Sequence, residues 1–242
     1  MKGVILAGGL GSRLSPMTRA TNKHLLPVYD QPMVFYPIKT LVDAGITDIM
    51  IVVGGPHAGD FLSVLKNGKE LGIRNLGYAF QDSGDGGIAD ALRLTEDFVA
   101  GDNVTAILGD NTTDANIKTA VKNFRSSAKL FLKEVPDPQR YGVPVFDRKD
   151  PKKIIKIEEK PKNPMSNYAV TGLYIYDPRC FDFIRELKPS LRGQFEITDL
   201  NNKYIENGEV DWEVLEGFWT DAGTPDSLFT ANAYWAKKME GK

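Results

Sequence analysis

Residues 2–14 read KGVILAGGLGSRL, a short apolar run that leads directly into a glycine-rich segment. Val4, Ile5 and Leu6 are residue types that favour a buried strand. Glycine adopts the backbone conformations that a tight turn requires, so the strand over residues 2 to 7 is predicted to end at Gly8. The pattern thus predicts a strand that delivers a loop to one edge of a sheet.

Strand-like and helix-like segments then alternate along the first half of the sequence. Apolar residues at helical spacing predict helices over 31–44, 57–67 and 88–94, and short apolar runs predict strands over 49–53, 76–80 and 104–108. Strands separated by helices indicate a mostly parallel sheet with helices on both faces. Ligands of such sheets lie at the carboxyl ends of the strands.

The pattern changes near residue 128, where extended segments follow one another with turn residues between them. Strands are expected near 129–135, 143–147, 153–157 and 169–176, and helices near 179–186, 196–206 and 225–236. We therefore predict one α/β domain with a mixed, mainly parallel, Rossmann-like sheet and a smaller β-rich portion that covers the same crevice. The two halves of this domain are predicted to be about 1–127 and about 128–242.

Bulk composition excludes several classes of partner. The 242 residues carry 30 basic and 32 acidic side chains, and this balance gives no global field that would attract nucleic acid or an anionic membrane. The single cysteine, Cys180, cannot form an internal disulfide, which is typical of a reducing compartment. We see no apolar run of signal-peptide or membrane-spanning length, so we expect a cytoplasmic protein.

The glycine-rich loop is the first candidate for a ligand site. Its backbone amides could approach phosphate oxygens, and Arg13 would add a guanidinium to the same anion. A dinucleotide fingerprint would need glycine in place of Leu14, and a P-loop would need glycine in place of Arg13. A plain strand-to-helix turn is the alternative interpretation. Lys23, just before an apolar segment, favours a phosphate site because two cations could offset a triphosphate.

Two aspartates are candidate metal ligands. Asp110 follows the predicted strand that ends at Leu108, and Asp221 follows the β-like segment 210–215. Magnesium prefers one or two carboxylates together with phosphate oxygens, so the two acids could share one ion. A turn or helix-capping role for Asp110 is the competing interpretation.

The tetrapeptide EEKP at 158–161 pairs acid with base after a predicted strand. Glu159 could accept hydrogen bonds from sugar hydroxyls and Lys160 could bind a phosphate, although a solvated charge run is an equally good interpretation. His24 and His57 are not spaced as metal ligands and Cys180 has no evident partner, which argues against zinc and thiol chemistry.

Several motifs together resemble the sugar nucleotidyltransferases, and within them the glucose-1-phosphate thymidylyltransferases. They are LAGGLGSRLSPMT (6–18), NKHLLPVYDQPMVFYPI (22–38), RYGV (140–143), EEKP (158–161), NYAVTGLYIYD (167–177), FEITDLN (195–201) and WTDAGT (219–224). The likeness covers essentially the whole chain in the family's order.

The resemblance implies a role for each matching position. The catalytic residues would be Arg13, Lys23, Lys160 and Asp110, and Mg²⁺ would be held by Asp110 and Asp221. The nucleotide would be bound by Leu6, Gly8, Gly9, Gly11, Ser12, Arg13, Lys23, Gln81 and Gly86 or Gly87. The sugar phosphate would be bound by Asn111, Tyr141, Gly142, Glu159, Lys160, Val170 and Glu196.

The resemblance also implies a reaction: dTTP and glucose 1-phosphate would give dTDP-glucose and pyrophosphate by in-line attack of the sugar phosphate, as in nucleotide-sugar supply for polysaccharides. Two rivals stay open, namely a related transferase that uses UTP or another sugar phosphate, and a non-catalytic nucleotide-sugar-binding protein. Longer relatives carry an additional helical tail that is linked to assembly and feedback binding. The resemblance therefore leaves both homo-oligomer formation and feedback inhibition of this chain undecided. Gln194 departs from the acid found there in many relatives.

Overall fold

The computed structural model describes residues 1–82, 86–125 and 127–241. The strands are β1 (Lys2–Ala7), β2 (Pro27–Val28), β3 (Gln31–Pro32), β4 (Asp48–Gly54), β5 (Asn75–Gln81), β6 (Val104–Leu108), β7 (Asn111–Thr113), β8 (Ala128–Glu134), β9 (Gly142–Phe146), β10 (Ile154–Glu159), β11 (Tyr168–Tyr176), β12 (Val210–Val214) and β13 (Trp219–Asp221). The α-helices are α1 (Phe35–Asp43), α2 (Asp60–Leu65), α3 (Ile88–Arg93), α4 (Glu96–Val99), α5 (Lys118–Asn123), α6 (Cys180–Glu186), α7 (Ile197–Glu206) and α8 (Pro225–Glu240). Short 3₁₀ turns occupy Ser12–Leu14, Met17–Arg19, Lys23–Leu25, Lys69–Leu71 and Pro138–Arg140.

The central sheet has a parallel block of four strands. Strand β1 lies between β4 and β6, and β5 pairs with the far side of β4. Chain order therefore reverses beside β1, which creates the crevice at the carboxyl ends of the strands where α/β sheets bind ligands. The prediction of a mixed, mainly parallel Rossmann-like sheet is confirmed.

The second half of the chain extends this same sheet. Strand β11 runs antiparallel to β6, β8 runs antiparallel to β11, and β12 pairs in parallel with β8. The hairpin β9–β10 joins the sheet through a single register pair, Val170 with Gly142. The later strands were expected to cover the crevice. Most of them instead continue the sheet, and the hairpin contributes side chains to the crevice.

Alternation along β1 explains why both sheet faces are covered. Val4 and Leu6 point into a core formed with α3, α6 and α7, whereas Ile5 and Ala7 point into a second core formed with α1, α2 and α5. All four side chains are buried, as expected for a central parallel strand with period-two side-chain geometry.

Two boundaries differ from the sequence prediction. The helix expected over 31–44 begins only at Phe35, because Gln31–Pro32 pairs with Pro27–Val28 as a small ribbon. It ends as predicted before Gly45, whose φ of 87° is the left-handed conformation that favours glycine. Asp221 does not follow segment 210–215 directly; it is the last residue of the separate strand β13. In the described part of the chain, no helix combines the length and apolar character needed to cross a bilayer.

Candidate active site

A cavity of about 330 Å³ opens at the carboxyl ends of the parallel strands. Most of the residues predicted for a site line it: Leu6, Gly8, Gly9, Arg13, Lys23, Gln81, Gly87, Asp110, Asn111, Tyr141, Gly142, Glu159, Lys160, Val170, Glu196 and Asp221. Gly11, Ser12 and Gly86 are not among the lining residues. Of the two glycines left open by the sequence, Gly87 therefore faces the cavity, and the backbone of Gly86 accepts a hydrogen bond from Phe195.

The glycine-rich loop owes its shape to a close approach to Lys23. Gly11 has a φ of 69°, and a Cβ at this position would lie 2.7 Å from Cβ of Lys23. Any other residue would be strained and would collide with that side chain. Gly11 thus acts by shaping the turn, and the 3₁₀ turn that follows at Ser12–Leu14 carries Arg13 to the cavity.

We use the name aspartate cluster for Arg13, Lys23, Asp110 and Asp221. The two aspartates are neighbours because β7 and β13 form an antiparallel ribbon in which Asp221 pairs with Asn111. The backbone N–H of Ala222 donates to the carbonyl of Asp110 at 2.9 Å, which extends the pairing by one residue. Asp110 and Asp221 therefore lie at adjacent positions of two paired segments.

The carboxylates of the aspartate cluster point to the same place. Gly223 marks that place, since a Cβ there would lie 2.6 Å from Oδ1 of Asp221, 3.1 Å from Nη2 of Arg13 and 3.4 Å from Oδ2 of Asp110. Within the described residues, no group of three or more His, Cys, Asp or Glu side chains could hold a metal. The candidate metal site in this part of the chain is therefore the pair of carboxylates of Asp110 and Asp221.

Charge in this cluster is balanced around Asp110. Nζ of Lys23 donates to Oδ2 of Asp110 at 2.5 Å, and both side chains are mostly buried. Burial is the largest single influence on Asp110 and opposes its ionisation. The charges of Lys23 and His24 and the hydrogen bonds from Lys23 and Asn111 together outweigh burial and hold the pKa of the carboxyl below its usual value. Burial and the charge of Asp110 raise the pKa of Asp221, against the opposing effect of Lys23 and Arg13.

Asn111 and Trp219 orient Asp110. Nδ2 of Asn111 donates to Oδ1 of Asp110 at 3.1 Å, while Oδ1 of Asn111 accepts from Nε1 of Trp219 at 2.8 Å and from the backbone of Gly172 at 3.0 Å. Because Asn111 is fully buried, its hydrogen bonds are largely committed to this task.

We use the name glutamate cluster for Glu159, Lys160, Arg192 and Glu196, which line the same cavity. Arg192 donates from Nη2 to Glu196 at 2.9 Å and lies 3.3 Å from Glu159. Nζ of Lys160 lies 3.1 Å from Oε1 of Glu159, and Lys160 has a φ of 46°, unusual for a residue that is not glycine. Four charges of alternating sign thus pair with one another across partly exposed space.

Hydrogen bonds from α7 and the segment before it hold the two glutamates. Thr198 donates to Oε2 of Glu159 at 2.6 Å, and Ser190 donates to Oε1 of Glu196 at 2.8 Å. The 2.6 Å bond is at the short end expected for a charge-assisted contact. Glu159 and Lys160, for which the sequence allowed either a ligand-binding role or a solvated charge run, therefore both lie in the cavity wall.

Arg140 and Arg192 are the cationic wall residues that sequence reasoning missed. Arg140 lies over the ring of Tyr141 and donates to Asp137 at 2.7 Å, while its buried Nη2 has no hydrogen-bond partner in the described part of the chain. Arg140 is the first residue of the RYGV motif, and Arg192 lies two residues before Gln194, so the signal for both is their position beside residues that carry the family resemblance. Other unpredicted lining residues are His24, Ile88, Ala91, Leu108, Gly172, Tyr174, Gln194, Ile197, Thr198, Asn201 and Trp219.

His24 is the buried histidine of the cavity floor. Its Nδ1 lies 2.7 Å from Oδ1 of Asn22, and that same oxygen accepts from the backbone N–H of His24 at 3.0 Å. Burial, together with the charge of Lys23, lowers the pKa of His24 to about 3, so the imidazole is neutral at neutral pH.

A sequence profile described as nucleotidyl transferase matches residues 2–238. The chain therefore belongs to the nucleotidyl transferase family. The glycine-rich loop and both aspartates of the cavity lie within the matched residues.

More specific similarities point to one branch of the family. The chain is 45% identical over 242 residues to a glucose-1-phosphate thymidylyltransferase of Neisseria gonorrhoeae, with 97% of this chain and 82% of the relative covered. It is 42% identical over 239 residues to the protein of the same name from Mycolicibacterium smegmatis, again with 97% and 82% covered.

Solved structures agree with this placement. A Bacillus anthracis protein described as a glucose-1-phosphate thymidylyltransferase, in complex with a sucrose, superimposes with a TM-score of 0.90 at 51% identity, over 97% of this chain and 94% of that one. A UDP-glucose pyrophosphorylase complexed with UDP-glucose superimposes with a TM-score of 0.83 at 21% identity over 98% of each chain, which shows a shared fold.

Proposed function

We propose that this chain transfers a thymidylyl group from dTTP to glucose 1-phosphate, giving dTDP-glucose and pyrophosphate. The observation that carries the proposal is the convergence of Asp110 and Asp221 with Arg13 and Lys23 in a single cavity. The names of relatives at 42–51% identity support the choice of substrates.

The aspartate pair fits a magnesium ion. Mg²⁺ is held in nucleotide enzymes by one or two carboxylates, with water and phosphate oxygens completing the shell. Two carboxylates that face one another, one of them raising the pKa of the other, form a donor set that a divalent cation would stabilise. Asp110 and Asp221 would hold the ion, which would neutralise charge on the phosphates.

The nucleotide occupies the side of the cavity formed by the glycine-rich loop. Arg13 and Lys23 bind the triphosphate, since they are the cations beside the loop, and Gln81 binds the pyrimidine base. Gly8, Gly9 and Gly87 line this side of the cavity and present their backbone to the nucleotide. Leu6 contributes to the wall at this side.

Glucose 1-phosphate occupies the side formed by the glutamate cluster. Glu159 and Glu196 accept hydrogen bonds from sugar hydroxyls, and Tyr141, Gly142 and Val170 shape the wall around the ring. Lys160 binds the phosphate. The unpartnered Nη2 of Arg140 is a further donor that an anion would satisfy, since a buried unpaired donor is costly.

The chemistry requires alignment more than proton transfer. A phosphate oxygen of glucose 1-phosphate attacks the α-phosphorus of dTTP in line, a new P–O bond forms, and the bond to pyrophosphate breaks. The attacking phosphate is already ionised, so no general base is needed, and the neutral His24 is not required to act as one. Arg13, Lys23 and Lys160 hold the two anions in contact against their mutual repulsion.

Pyrophosphate release by the purified protein tests this proposal. Glucose 1-phosphate would be offered with each of dTTP, UTP, dCTP, ATP and GTP in the presence of MgCl₂, and then dTTP would be offered with other sugar 1-phosphates. We expect the fastest release with dTTP and glucose 1-phosphate, with UTP as the nearest competitor. A preference for a purine nucleotide would refute the assignment.

Tight binding of dTDP-glucose without turnover at saturating MgCl₂ would instead indicate a nucleotide-sugar-binding protein. Calorimetric titration with dTDP-glucose on the same preparation measures this directly.

Both substrates are phosphorylated metabolites, so we place the activity in the cytoplasm. We also propose one domain made of the halves 1–127 and 128–242, and leave its association state to a sedimentation measurement.

A further inference from the structure

Gln81 is held in one orientation by two groups that can only accept hydrogen bonds. Its Nε2 donates to Oδ2 of Asp90 at 2.9 Å and to the carbonyl of Gly87 at 3.2 Å. A carboxylate and a carbonyl have no hydrogen to offer, so the nitrogen of the amide must face them. Gln81 is only 4% exposed, which leaves little room for other rotamers.

The oxygen of the same amide faces the glycine-rich loop. A Cβ on Gly8 would lie 2.4 Å from Oε1 of Gln81, so the oxygen reaches the space that the missing side chain leaves. Both residues line the cavity. Gln81 therefore presents an acceptor, and not a donor, on the side where the nucleotide is proposed to lie.

Asp90 is itself fixed by a second contact. Its Oδ1 accepts from Nη2 of Arg93 at 2.8 Å, one turn further along α3, while Oδ2 accepts from Gln81. The side chain of Asp90 is 14% exposed, whereas that of Arg93 is 50% exposed. Each oxygen of the Asp90 carboxylate therefore accepts one hydrogen bond. The contacts form a chain that runs from the half-exposed Arg93 through Asp90 to the amide of Gln81.

We infer that Asp90 is a positioning residue that sets the choice of base, because it fixes Gln81 as a hydrogen-bond acceptor toward the nucleotide. This inference rests on the proposed function, since it requires the base to lie against Gln81. Thymine and uracil carry an N–H at ring position 3 that matches an acceptor. Cytosine has an unprotonated nitrogen at that position, and two acceptors facing one another are unfavourable.

Asp90→Asn tests the inference because it preserves the size of the side chain but replaces one of its two hydrogen-bond acceptors with a donor. Asn keeps only one oxygen, and Arg93 competes for it, so the new NH₂ group is left facing the amide of Gln81. That contact favours the opposite orientation of the amide, with Nε2 toward the base, against the remaining hydrogen bond to the carbonyl of Gly87. We expect the ratio of kcat/KM for dTTP to that for dCTP to fall about tenfold, the size of one mismatched hydrogen bond.

The same experiment separates positioning from a general loss of stability. KM for dTTP should rise while KM for glucose 1-phosphate stays unchanged, because the sugar binds beside the glutamate cluster. Asp97→Asn is the matched control, since it removes an exposed carboxylate from the neighbouring helix α4 and should leave the ratio unchanged. Asp90→Glu, which keeps an acceptor, should retain the ratio within about threefold.

Asp90→Ala provides a second arm should the asparagine variant fail to fold, because alanine favours the helix and still removes the acceptor. An unchanged dTTP-to-dCTP ratio in the folded variants overturns the role of Asp90. A wild-type protein that forms dTDP-glucose but uses dCTP equally well also overturns it, while leaving the transfer reaction intact.

Absence of any turnover in the wild type is a failure of the proposed function. The role of Asp90 is then decided by the dissociation constants of dTTP and dCTP, titrated without the sugar phosphate. The same tenfold change in their ratio is expected in Asp90→Asn, and an unchanged ratio overturns the inference.

Discussion

The aspartate cluster and the glutamate cluster both line one cavity but are built in different ways. Lys23 and Asp110 form a mostly buried pair, with Asn111 fixing the second oxygen of the carboxylate. In the glutamate cluster, by contrast, Lys160 and Arg192 are about half exposed and pair with the glutamates themselves. In the aspartate cluster, the Lys23–Asp110 pair is therefore organised before any ligand arrives. In the glutamate cluster, the charges are held in contacts with one another that a ligand must replace.

This difference predicts different kinetic consequences in the two clusters. Preorganised charge acts on the transition state and therefore on kcat, whereas contacts that exchange partners on binding act mainly on KM. Buried pairs are also sensitive to the loss of one partner, and exposed pairs are worth little in isolation.

The largest effect is expected for Asp110→Asn. Removing one of two ligands of the proposed ion, and leaving Lys23 without its partner, should lower kcat by about 10³-fold or more at any MgCl₂ concentration. Pyrophosphate release and circular dichroism would be measured together, with the exposed Asp102→Asn as the control. A variant that loses activity only because it unfolds would support a structural role for Asp110.

Arg13→Ala should follow, with turnover lowered by roughly 10²–10³-fold, because it removes one anion-stabilising donor from the phosphates. Saturating both substrates distinguishes this loss of kcat from weaker binding. Arg19→Ala, in the neighbouring 3₁₀ turn, is the matched control. Near-normal turnover in the Arg13 variant would exclude Arg13 from the mechanism.

In the glutamate cluster, Arg192→Gln should raise KM for glucose 1-phosphate by about tenfold and change kcat by less than about threefold. The glutamates lose a partner that orients them, but the reacting phosphorus atom is held elsewhere. Arg185→Gln, which breaks an exposed ion pair with Glu96, controls for loss of a surface guanidinium. A fall in kcat with KM unchanged would show that both clusters act alike.

The smallest effect concerns pH and the buried His24. Its pKa is lowered to about 3 in the folded chain, so protons bind the unfolded chain preferentially. The resulting stability is fully present above pH 6.5 and is lost as the pH falls from there toward 3. The free energy of unfolding attributable to His24 should drop by about 1 kcal/mol between pH 7.5 and 5.5.

Urea unfolding at the two pH values measures this drop as the difference between the wild type and His24→Gln. His57→Gln is the control, because that histidine is partly exposed and pairs with Asp60. An equal pH dependence in the wild type and the His24 variant would contradict the prediction.

Sequence reasoning reached the aspartate cluster because sheet geometry determines where strands end. An acid directly after a buried strand, such as Asp110, must lie at the carboxyl edge of a parallel sheet. The contact with Asp221 was predicted from residue chemistry and from the family resemblance. The ribbon β7–β13 that creates it was not predicted, since a three-residue strand carries almost no periodicity.

The glutamate cluster was less accessible to such reasoning. Arg192 belongs to a segment without regular structure, and its place in the cavity depends on how that segment packs against α7. Charged residues in such segments are usually solvated, so nothing in the local pattern distinguishes Arg192 from other surface arginines. The same holds for Asp90, which reads as an ordinary polar position of a helix until its contact with Gln81 is seen.

Because of the β7–β13 ribbon, the aspartate cluster can be completed only late in the synthesis of the chain. A ribosome that has released only the first half exposes the glycine-rich loop and Asp110, but Asp221 is supplied more than a hundred residues later. A nascent or prematurely terminated chain that lacks β13 has only one of the two carboxylates that would hold the ion in the proposed reaction. We therefore expect such a fragment to be inactive toward nucleoside triphosphates, so that catalysis would require a chain that is made and folded at least through β13.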